Sequence, residues 1–419
     1  MPIKRILIHS GKHPFEPFDY GLDYEGMMRA TGRNLGNCLF ADALFKYLYA
    51  APDMVLDSDY YRRGKAGQPL TADEINERYD CYVIPAANWL SEESRQMLAG
   101  WVPLLRGLKI PVVLAGIGVQ AHGRDSFDFL KSFETEAKGF LSAVAERSHT
   151  ISVRGEFTAA CLAKLGIHQV NVTGCPSFYR NLRTLKVEKP AISPGDFKVA
   201  VNGNKVLLAR IAADLFDRYP SELFSQGDIL KLLKGRARTP WPDLRYAMSD
   251  GFSMKLLAQS RVRYFGDVTP WIEALKAFHF SIGTRIHGNI LGLLAGIPAM
   301  VVAHDSRTSE MAEFYRIPCR TLKSLEGGFD PHRLYQELDL GPMLAAYPAR
   351  RDNFIAFLEG NGLRHTLLCE NGTTPFDEGI RQVRFGRSEG EQGGLFFQAA
   401  RTLAPVFRQM KRAKTSVSS

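Results

Sequence analysis

The sequence predicts an α/β protein with two doubly wound halves that face each other across a cleft. Short runs rich in Val and Ile, bounded by Gly, Pro or polar residues, alternate with helical stretches. A polar stretch with two prolines, residues 184–196, interrupts this alternation once, and the alternation then resumes. At 419 residues, the chain is also too long for one ordinary core.

Apolar runs of this length are typical of parallel strands that are buried on both faces. In the first half we predict strands at 4–10, 79–86, 110–118, 150–155 and 169–176. Helices are predicted at 37–50, 91–107, 126–146 and 156–166. In the second half we predict strands at 197–204, 262–267, 278–283 and 298–305. The halves therefore span 1–183 and 197–345, followed by a helical segment and basic tail, 346–419.

The composition, 45% hydrophobic and 23% charged, is typical of a soluble globular protein. No apolar run reaches the roughly 18 residues of a membrane span, and the first residues lack a signal peptide's apolar core, so we expect a cytoplasmic protein. The six cysteines are scattered without metal-binding spacing, which favours reduced thiols.

The net charge of +9 includes a local excess at the end of the chain. Residues 392–419 contain five basic side chains and no acidic one. Because no nucleic-acid-binding motif accompanies them, we do not expect a nucleic-acid partner. A solvated tail is the first interpretation, and peripheral contact with the inner face of a membrane is the second.

The segment 283–288, GTRIHG, joins a predicted strand to an apolar helix. In α/β sheets, ligands bind beyond the carboxyl ends of strands, and a helix N-terminus favours an anion. Arg285 adds a bidentate donor and His287 a proton donor or acceptor, while Gly283 and Gly288 allow close approach of the backbone. A structural ion pair is the alternative, but two such side chains in one turn favour an anion site.

Two other strand-to-helix turns carry candidate ligand contacts. Arg154 directly follows a predicted strand, where a cleft-side role and a surface role are both open. Asn34, Gly36 and Asn37 precede a helix and form either a ligand cradle or a helix cap.

Three further patterns are weak. GIGVQA at 116–121 fits a nucleotide fingerprint but opens no clear helix, and DSD at 57–59 favours a loop. No two histidines have metal-ligand spacing, so we predict no metal site.

Several of these segments together resemble the polysaccharide pyruvyl transferase family. The resemblance covers roughly residues 30 to 320. Its segments are NLGNCLFADAL at 34–44, GIGVQ at 116–120, ISVRGEFTAACLAKLGI at 151–167, VTGCPSF at 172–178 and the stretch from GTRIHG to TSEM at 283–311. The chain departs from the family pattern at Asn37, where Asp is usual, at Cys175, where Asp often precedes Pro176, and at Ser306-Arg307, where a Lys region is usual.

The resemblance implies two Rossmann-like domains in a GT-B-like arrangement, with the acceptor side and Arg154 on 1–183 and the donor site on 197–345. It implies transfer of pyruvate from phosphoenolpyruvate to two hydroxyls of a sugar, oligosaccharide or lipid-linked saccharide. The implied product is a pyruvate ketal on an exopolysaccharide of the cell envelope. The resemblance implies that no cofactor is needed. Donor-binding residues would be Arg154, Arg285, Ile286, His287 and Gly288.

In this reading, His287 is the general acid and Arg285 assists it, while Asn34, Gly36 and Asn37 lie on the acceptor side. The base stays open, since Asp305 and Glu310 each have a structural alternative. Two other functions also stay open: a glycosyltransferase using a nucleotide sugar, and a carbohydrate-binding protein without catalysis.

Overall fold

The computed structural model describes residues 3–32, 34–59, 69–121, 123–203, 215–226, 256, 259–325 and 329–386. Its first half contains a parallel sheet of four strands in the order β2-β1-β3-β4. These are β1 Arg5–Ile8, β2 Val55–Ser58, β3 Cys81–Pro85 and β4 Val112–Ala115. Two more parallel strands, β5 Ile151–Val153 and β6 Val170–Val172, extend it through a bridge between Ile117 and Val153.

Six helices cover this first sheet. They are α1 Tyr24–Ala30, α2 Leu35–Leu48, α3 Ala72–Arg78, α4 Arg95–Gly107, α5 Glu134–Ala145 and α6 Glu156–Lys164. Helix α2 is apolar on most of its surface because it is enclosed between the two halves. Asn34 caps it, since its side chain accepts a hydrogen bond from the backbone N–H of Gly36 at 2.8 Å.

The second half contains a parallel sheet of six strands in the order β12-β11-β10-β7-β8-β9. Its strands are β7 Val199–Val201, β8 Ser221–Phe224, β9 Val262–Arg263, β10 Phe280–Gly283, β11 Ala299–Ala303 and β12 Cys319–Thr321. Its helices include α7 Val268–Leu275, α8 Ile286–Leu294, α9 Ser306–Tyr315 and α10 Pro331–Glu337. Two parallel sheets with helical crossovers confirm the predicted α/β class with two Rossmann-like halves.

The chain then returns to the first half through α11 Gly341–Gly360 and α12 Pro375–Gln382. The Tyr347 hydroxyl donates to the carbonyl of Leu182 at 2.8 Å, and the Asn353 amide donates to that of Val172 at 2.6 Å. The predicted boundary between 345 and 346 falls inside α11, because this helix runs without interruption across it. The predicted basic tail lies outside the described residues.

Several predicted elements differ from the structure. Strands β2, β8 and β12 were not predicted, because their sequences, VLDS, SELF and CRT, have no continuous apolar run. Asp57 and Ser58 therefore belong to a strand, and the interpretation of 57–59 as a loop was wrong in part. The helix predicted at 126–146 begins only at Glu134, after a short 3-10 helix.

The carboxyl ends of the strands in one sheet face those in the other sheet. One buried ion pair, between Lys12 and Asp267 at 2.9 Å, and one more exposed pair, between Arg124 and Glu313 at 2.7 Å, connect the two halves. One apolar core runs from the first half into the second. No helix among the described residues has the length and apolar character needed to cross a membrane.

Candidate functional site

A small polar cavity of about 50 Å³ lies where the carboxyl ends of the two sheets meet. The first half contributes Asn34, Asn37, Asn88 and Arg154 to its lining. The second half contributes Gln226, Thr284, Arg285, Ile286, His287, His304, Arg307 and Thr308. Three arginines and two histidines line this cavity without a carboxylate among them, so its charge suits an anion.

Arg154 reaches the cavity from the end of β5 and is only 2% exposed. Its Nε donates to the carbonyl of Gly116 at 2.8 Å, and Nη1 donates to Asn88 Oδ1 at 3.3 Å. No carboxylate of the described residues forms an ion pair with it. Burial lowers the pKa of this guanidinium, because the charged form is desolvated. A buried charge without a counterion favours the binding of an anion.

His287 lies in the first turn of α8 and is 7% exposed. Its Nε2 is 3.6 Å from Cys175 Sγ, and its ring packs edge-on against Phe40. Burial, followed by the charges of Arg154 and Arg307, lowers the pKa of His287 to about 3. The imidazole is therefore neutral at pH 7.

Gly288 lies behind the cavity rather than in its lining. A Cβ atom there would be 2.1 Å from Asn202 Oδ1 and 2.6 Å from Gln226 Nε2. The glycine thus lets α8 pack closely on the strand ends that carry these two amides. The structure gives Gly288 a packing contact, and its predicted donor contact stays a prediction.

Helix α9 brings a second N-terminus to the cavity, with Arg307 and Thr308 in its first turn. Asp305 caps this helix by accepting from the Thr308 N–H at 2.9 Å, and it also accepts from Arg307 Nε at 2.8 Å. Glu310 accepts from the backbone N–H and the hydroxyl of Thr158, at 2.7 and 2.9 Å. Both carboxylates, which were candidate bases, therefore have structural partners.

A larger cavity of about 480 Å³ adjoins the small one, and Asn37 lines both. It lies between the halves: His9, Lys12, Arg29 and Trp89 line it from the first half, and residues 266–269 line it from the second. This volume falls within the range of small-molecule sites, roughly 300–1,000 Å³. The two cavities meet at Asn37, and the larger one has the size of a small-molecule site.

Most of the predicted site residues converge on the small cavity. Arg154, Arg285, Ile286, His287, Asn34 and Asn37 all line it. Gly36 packs against His287, since a Cβ there would be 2.7 Å from Nδ1. Asn88, Gln226, Thr284, His304, Arg307 and Thr308 were not predicted. All of them lie at or soon after a strand end, and this signal could have found all but Gln226, whose strand β8 was not predicted.

The described residues contain no group of three or more His, Cys, Asp or Glu side chains arranged to hold a metal ion. The predicted absence of a metal from the reaction stays a prediction.

The fold and the site define a two-domain α/β protein with an anion-binding cavity between its halves. The sequence profile of the polysaccharide pyruvyl transferase family matches residues 34–306, more than half of the chain. The chain belongs to this family. The matched range includes Arg154, Arg285 and His287, and Arg307 lies just beyond it.

Three solved structures are similar in overall shape. Staphylococcus aureus MnaA with UDP is 12% identical, with 85% of this chain and 97% of that chain covered and a TM-score of 0.41. The UDP-GlcNAc 2-epimerase of Methanocaldococcus jannaschii is 12% identical, with 84% and 99% covered and a TM-score of 0.41. An uncharacterised Klebsiella pneumoniae protein is 13% identical, with 76% and 93% covered and a TM-score of 0.39. No curated protein matches the chain. At this level of similarity, the three structures say nothing about what this chain binds.

Proposed function

We propose that the protein transfers a pyruvyl group from phosphoenolpyruvate to two hydroxyls of a sugar, in a polysaccharide or its precursor, and so forms a ketal. Membership of the family supports pyruvyl transfer in general. Phosphoenolpyruvate as donor and a ketal as product are what the family resemblance implies, and the cavity supports an anionic donor. The observation that carries this inference is the cluster of Arg154, Arg285 and Arg307 in a lining without carboxylates.

Phosphoenolpyruvate carries a carboxylate and a phosphate ester on the same carbon. Guanidinium groups bind both anions with paired hydrogen bonds, and the N-termini of α8 and α9 add their positive dipole ends. Arg154 loses part of its desolvation cost when an anion becomes its counterion. We propose that the donor lies among these groups, with Ile286 and Gly288 shaping the wall and backbone behind it.

In the proposed reaction, His287 donates a proton to the methylene carbon of the donor. A hydroxyl oxygen of the sugar then attacks the central carbon, the bond from this carbon to the phosphate oxygen breaks, and the second hydroxyl closes the ketal. One hydroxyl proton restores the acid and the other leaves with phosphate or solvent, so the protons balance. The arginines stabilise the leaving phosphate.

The neutral state of His287 is compatible with this role. Arg154 and Arg307 are among the groups that lower its pKa. An anionic donor between them offsets their charge, so donor binding raises the pKa of His287 and favours its proton uptake. Donor binding thus favours the protonated form of His287, which is the form that acts as the acid.

We propose that the sugar binds in the larger cavity, with Asn34, Gly36 and Asn37 at the border between the two reactants. In this proposal, residues 197–345 bind most of the donor and residues 1–183 bind the acceptor. Trp89 lines this cavity, and an indole is an apolar ring of the kind on which sugars stack.

The test is incubation of the full chain with phosphoenolpyruvate and a panel of sugars, oligosaccharides and lipid-linked saccharides. We expect phosphate release and an acceptor whose mass grows by one pyruvate less one water. Thermal-shift assays with UDP-, GDP- and CMP-sugars run in parallel. Stabilisation by a nucleotide sugar, without ketal formation from phosphoenolpyruvate, would favour the glycosyltransferase alternative. Sugar binding without either reaction would favour the non-catalytic one.

We also propose a cytoplasmic location, with the basic segment 392–419 contacting the inner membrane face when the acceptor is lipid-linked. Sedimentation of the full chain and of residues 1–390 with anionic vesicles tests this contact. Equal binding of both would contradict it.

A further inference from the structure

A histidine–aspartate pair lies at the edge of the larger cavity, away from the arginine cluster. His9 directly follows β1 and Asp59 directly follows β2, and these neighbouring parallel strands end in register, with Ile8 opposite Ser58. The His9 Nδ1 is 2.5 Å from Asp59 Oδ2. The pairing of the two strands thus brings the two side chains together.

The carboxylate is fixed on several sides. The Tyr82 hydroxyl donates to Asp59 Oδ2 at 2.7 Å, and the backbone N–H of Ser10 donates to Oδ1 at 3.1 Å. The His9 ring meets Trp89 and Trp101 edge-on, with centroids 5.5 and 5.0 Å away. The imidazole is held in one orientation by a carboxylate and two indoles.

This arrangement determines which ring nitrogen is available. An ionised Asp59 accepts the proton on Nδ1, so the neutral ring carries its lone pair on Nε2. Nε2 has no hydrogen-bond partner among the residues that the structure describes, and the side chain is 36% exposed. His9 lines the larger cavity, so its ring borders a molecule bound there.

The other titratable groups that line this cavity within the described chain are less suited to accept a proton. Asp267 pairs with Lys12, and Asp42 with Arg180. Burial raises the pKa of the Cys38 thiol to about 12, which disfavours its thiolate. Among these groups, His9 combines a carboxylate partner with an open lone pair.

We propose that His9 is the general base for the acceptor and that Asp59 is its positioning residue. The inference rests on the proposed function. His9 Nε2 takes the proton of the attacking sugar hydroxyl while that oxygen bonds to the central carbon of the donor. The bond from this carbon to the phosphate oxygen breaks, and the proton passes to solvent or phosphate.

The chain itself links this base to the donor cavity. Trp89 contacts His9 in the larger cavity, and its neighbour Asn88 binds Arg154 in the smaller one. The consecutive residues Asn88 and Trp89 therefore connect the surroundings of Arg154 with those of His9.

The pH dependence of transfer gives the role a signature. Burial lowers the pKa of His9, but Asp59 more than offsets it, so the pKa is raised above its usual value. A base must be unprotonated, so activity should fall as pH decreases through this raised pKa. The titratable groups near the His9 ring are Asp59 and, behind it, Tyr82. Lys12 lies in the same loop as His9, and the two indoles that contact the ring are uncharged. Asp59→Asn should therefore move the acid limb to lower pH.

The test compares His9→Gln, His9→Ala and Asp59→Asn with the wild type, using phosphoenolpyruvate and an acceptor that the wild type converts. The control variant is His168→Gln, at an exposed position. We expect kcat for His9→Gln to fall by roughly 100- to 10,000-fold, the usual contribution of general base catalysis, with unchanged donor affinity. Added imidazole should partly restore His9→Ala.

Four results would each contradict a part of this proposal or the whole of it. A folded His9→Gln with normal kcat, or with only a raised acceptor KM, overturns the role of His9 as base. An acid limb that does not move in Asp59→Asn overturns the role of Asp59. Failure of imidazole to restore a folded His9→Ala also counts against the base. If the wild type forms no ketal with any acceptor, the proposed function fails and this inference with it.

Discussion

The imidazole of His287 and the thiol of Cys175 meet at the junction of the two halves, with Nε2 3.6 Å from Sγ. Cys175 is held in turn by Tyr315 of the second half, whose hydroxyl accepts from its N–H at 2.6 Å and donates to its carbonyl at 2.9 Å. The neighbours of His287 are thus a thiol and two arginines rather than a carboxylate. Burial of the ring, followed by the charges of Arg154 and Arg307, keeps the imidazole neutral at pH 7.

The first prediction concerns catalysis by His287. His287→Gln should lower kcat by roughly 100- to 10,000-fold, because the proposed acid is lost. The affinity for phosphoenolpyruvate should change far less, since the arginines and both helix N-termini remain. Arg285→Ala should weaken donor binding strongly and also slow turnover. Donor binding, turnover and melting curves are measured together. A well-folded His287→Gln with near-normal kcat would contradict the proposed role.

The second prediction concerns stability in acid. The pKa of His287 is about 3 in the folded protein, against 6.5 for the free side chain. Between these values the unfolded chain binds a proton that the folded chain does not, so His287 makes the free energy of unfolding fall as pH decreases from 6.5. His287→Gln should reduce this loss. Urea unfolding at pH 7 and pH 5 measures it, with the exposed His168→Gln as control. An equal pH dependence in wild type and His287→Gln would refute the assignment.

A third prediction distinguishes binding from packing at Arg154. Arg154→Lys keeps the charge but loses the planar fork that bonds Gly116 and Asn88, so the donor KM should rise by about tenfold or more. Circular dichroism and melting curves establish that the variant is folded. An unchanged donor KM would assign Arg154 to the packing of the two halves alone.

The sequence predicts those parts of the site that follow an apolar strand directly. Arg154 and Arg285 stand next to such strands, so their position at the cleft follows from the fold class. His304 was missed because a strand end alone does not reveal which other strand ends it faces, and Gln226 was missed because β8 gives no apolar strand signal. The pairing of His9 with Asp59 depends on β2, an edge strand whose polar sequence gives no strand signal. The order of strands in the sheet determines which strands lie next to β2, and no local sequence pattern predicts that order.

The last prediction concerns Gly36, which was predicted to lie on the acceptor side. A Cβ there would be 2.7 Å from His287 Nδ1 and 2.9 Å from Gln226 Oε1, so Gly36→Ala must displace the imidazole or the start of α2. We expect kcat to fall by about tenfold or more, because a small displacement of a catalytic group costs much of its effect. The matched control is Gly100→Ala in α4, where a Cβ meets nothing within 4 Å. This change should keep activity and stabilise the helix by up to about 1 kcal/mol.

A double-mutant cycle separates an effect through His287 from a general disturbance of α2. If Gly36→Ala acts by moving the imidazole, it should have little further effect on kcat in the His287→Gln background, because the group that it displaces is already absent. If the losses of the two single variants instead multiply, the glycine acts independently of His287. Measuring kcat and melting temperature for the wild type, both single variants and the double variant decides between these cases. Multiplying losses in folded variants would mean that the close contact between Gly36 and His287 has no part in orienting the proposed acid.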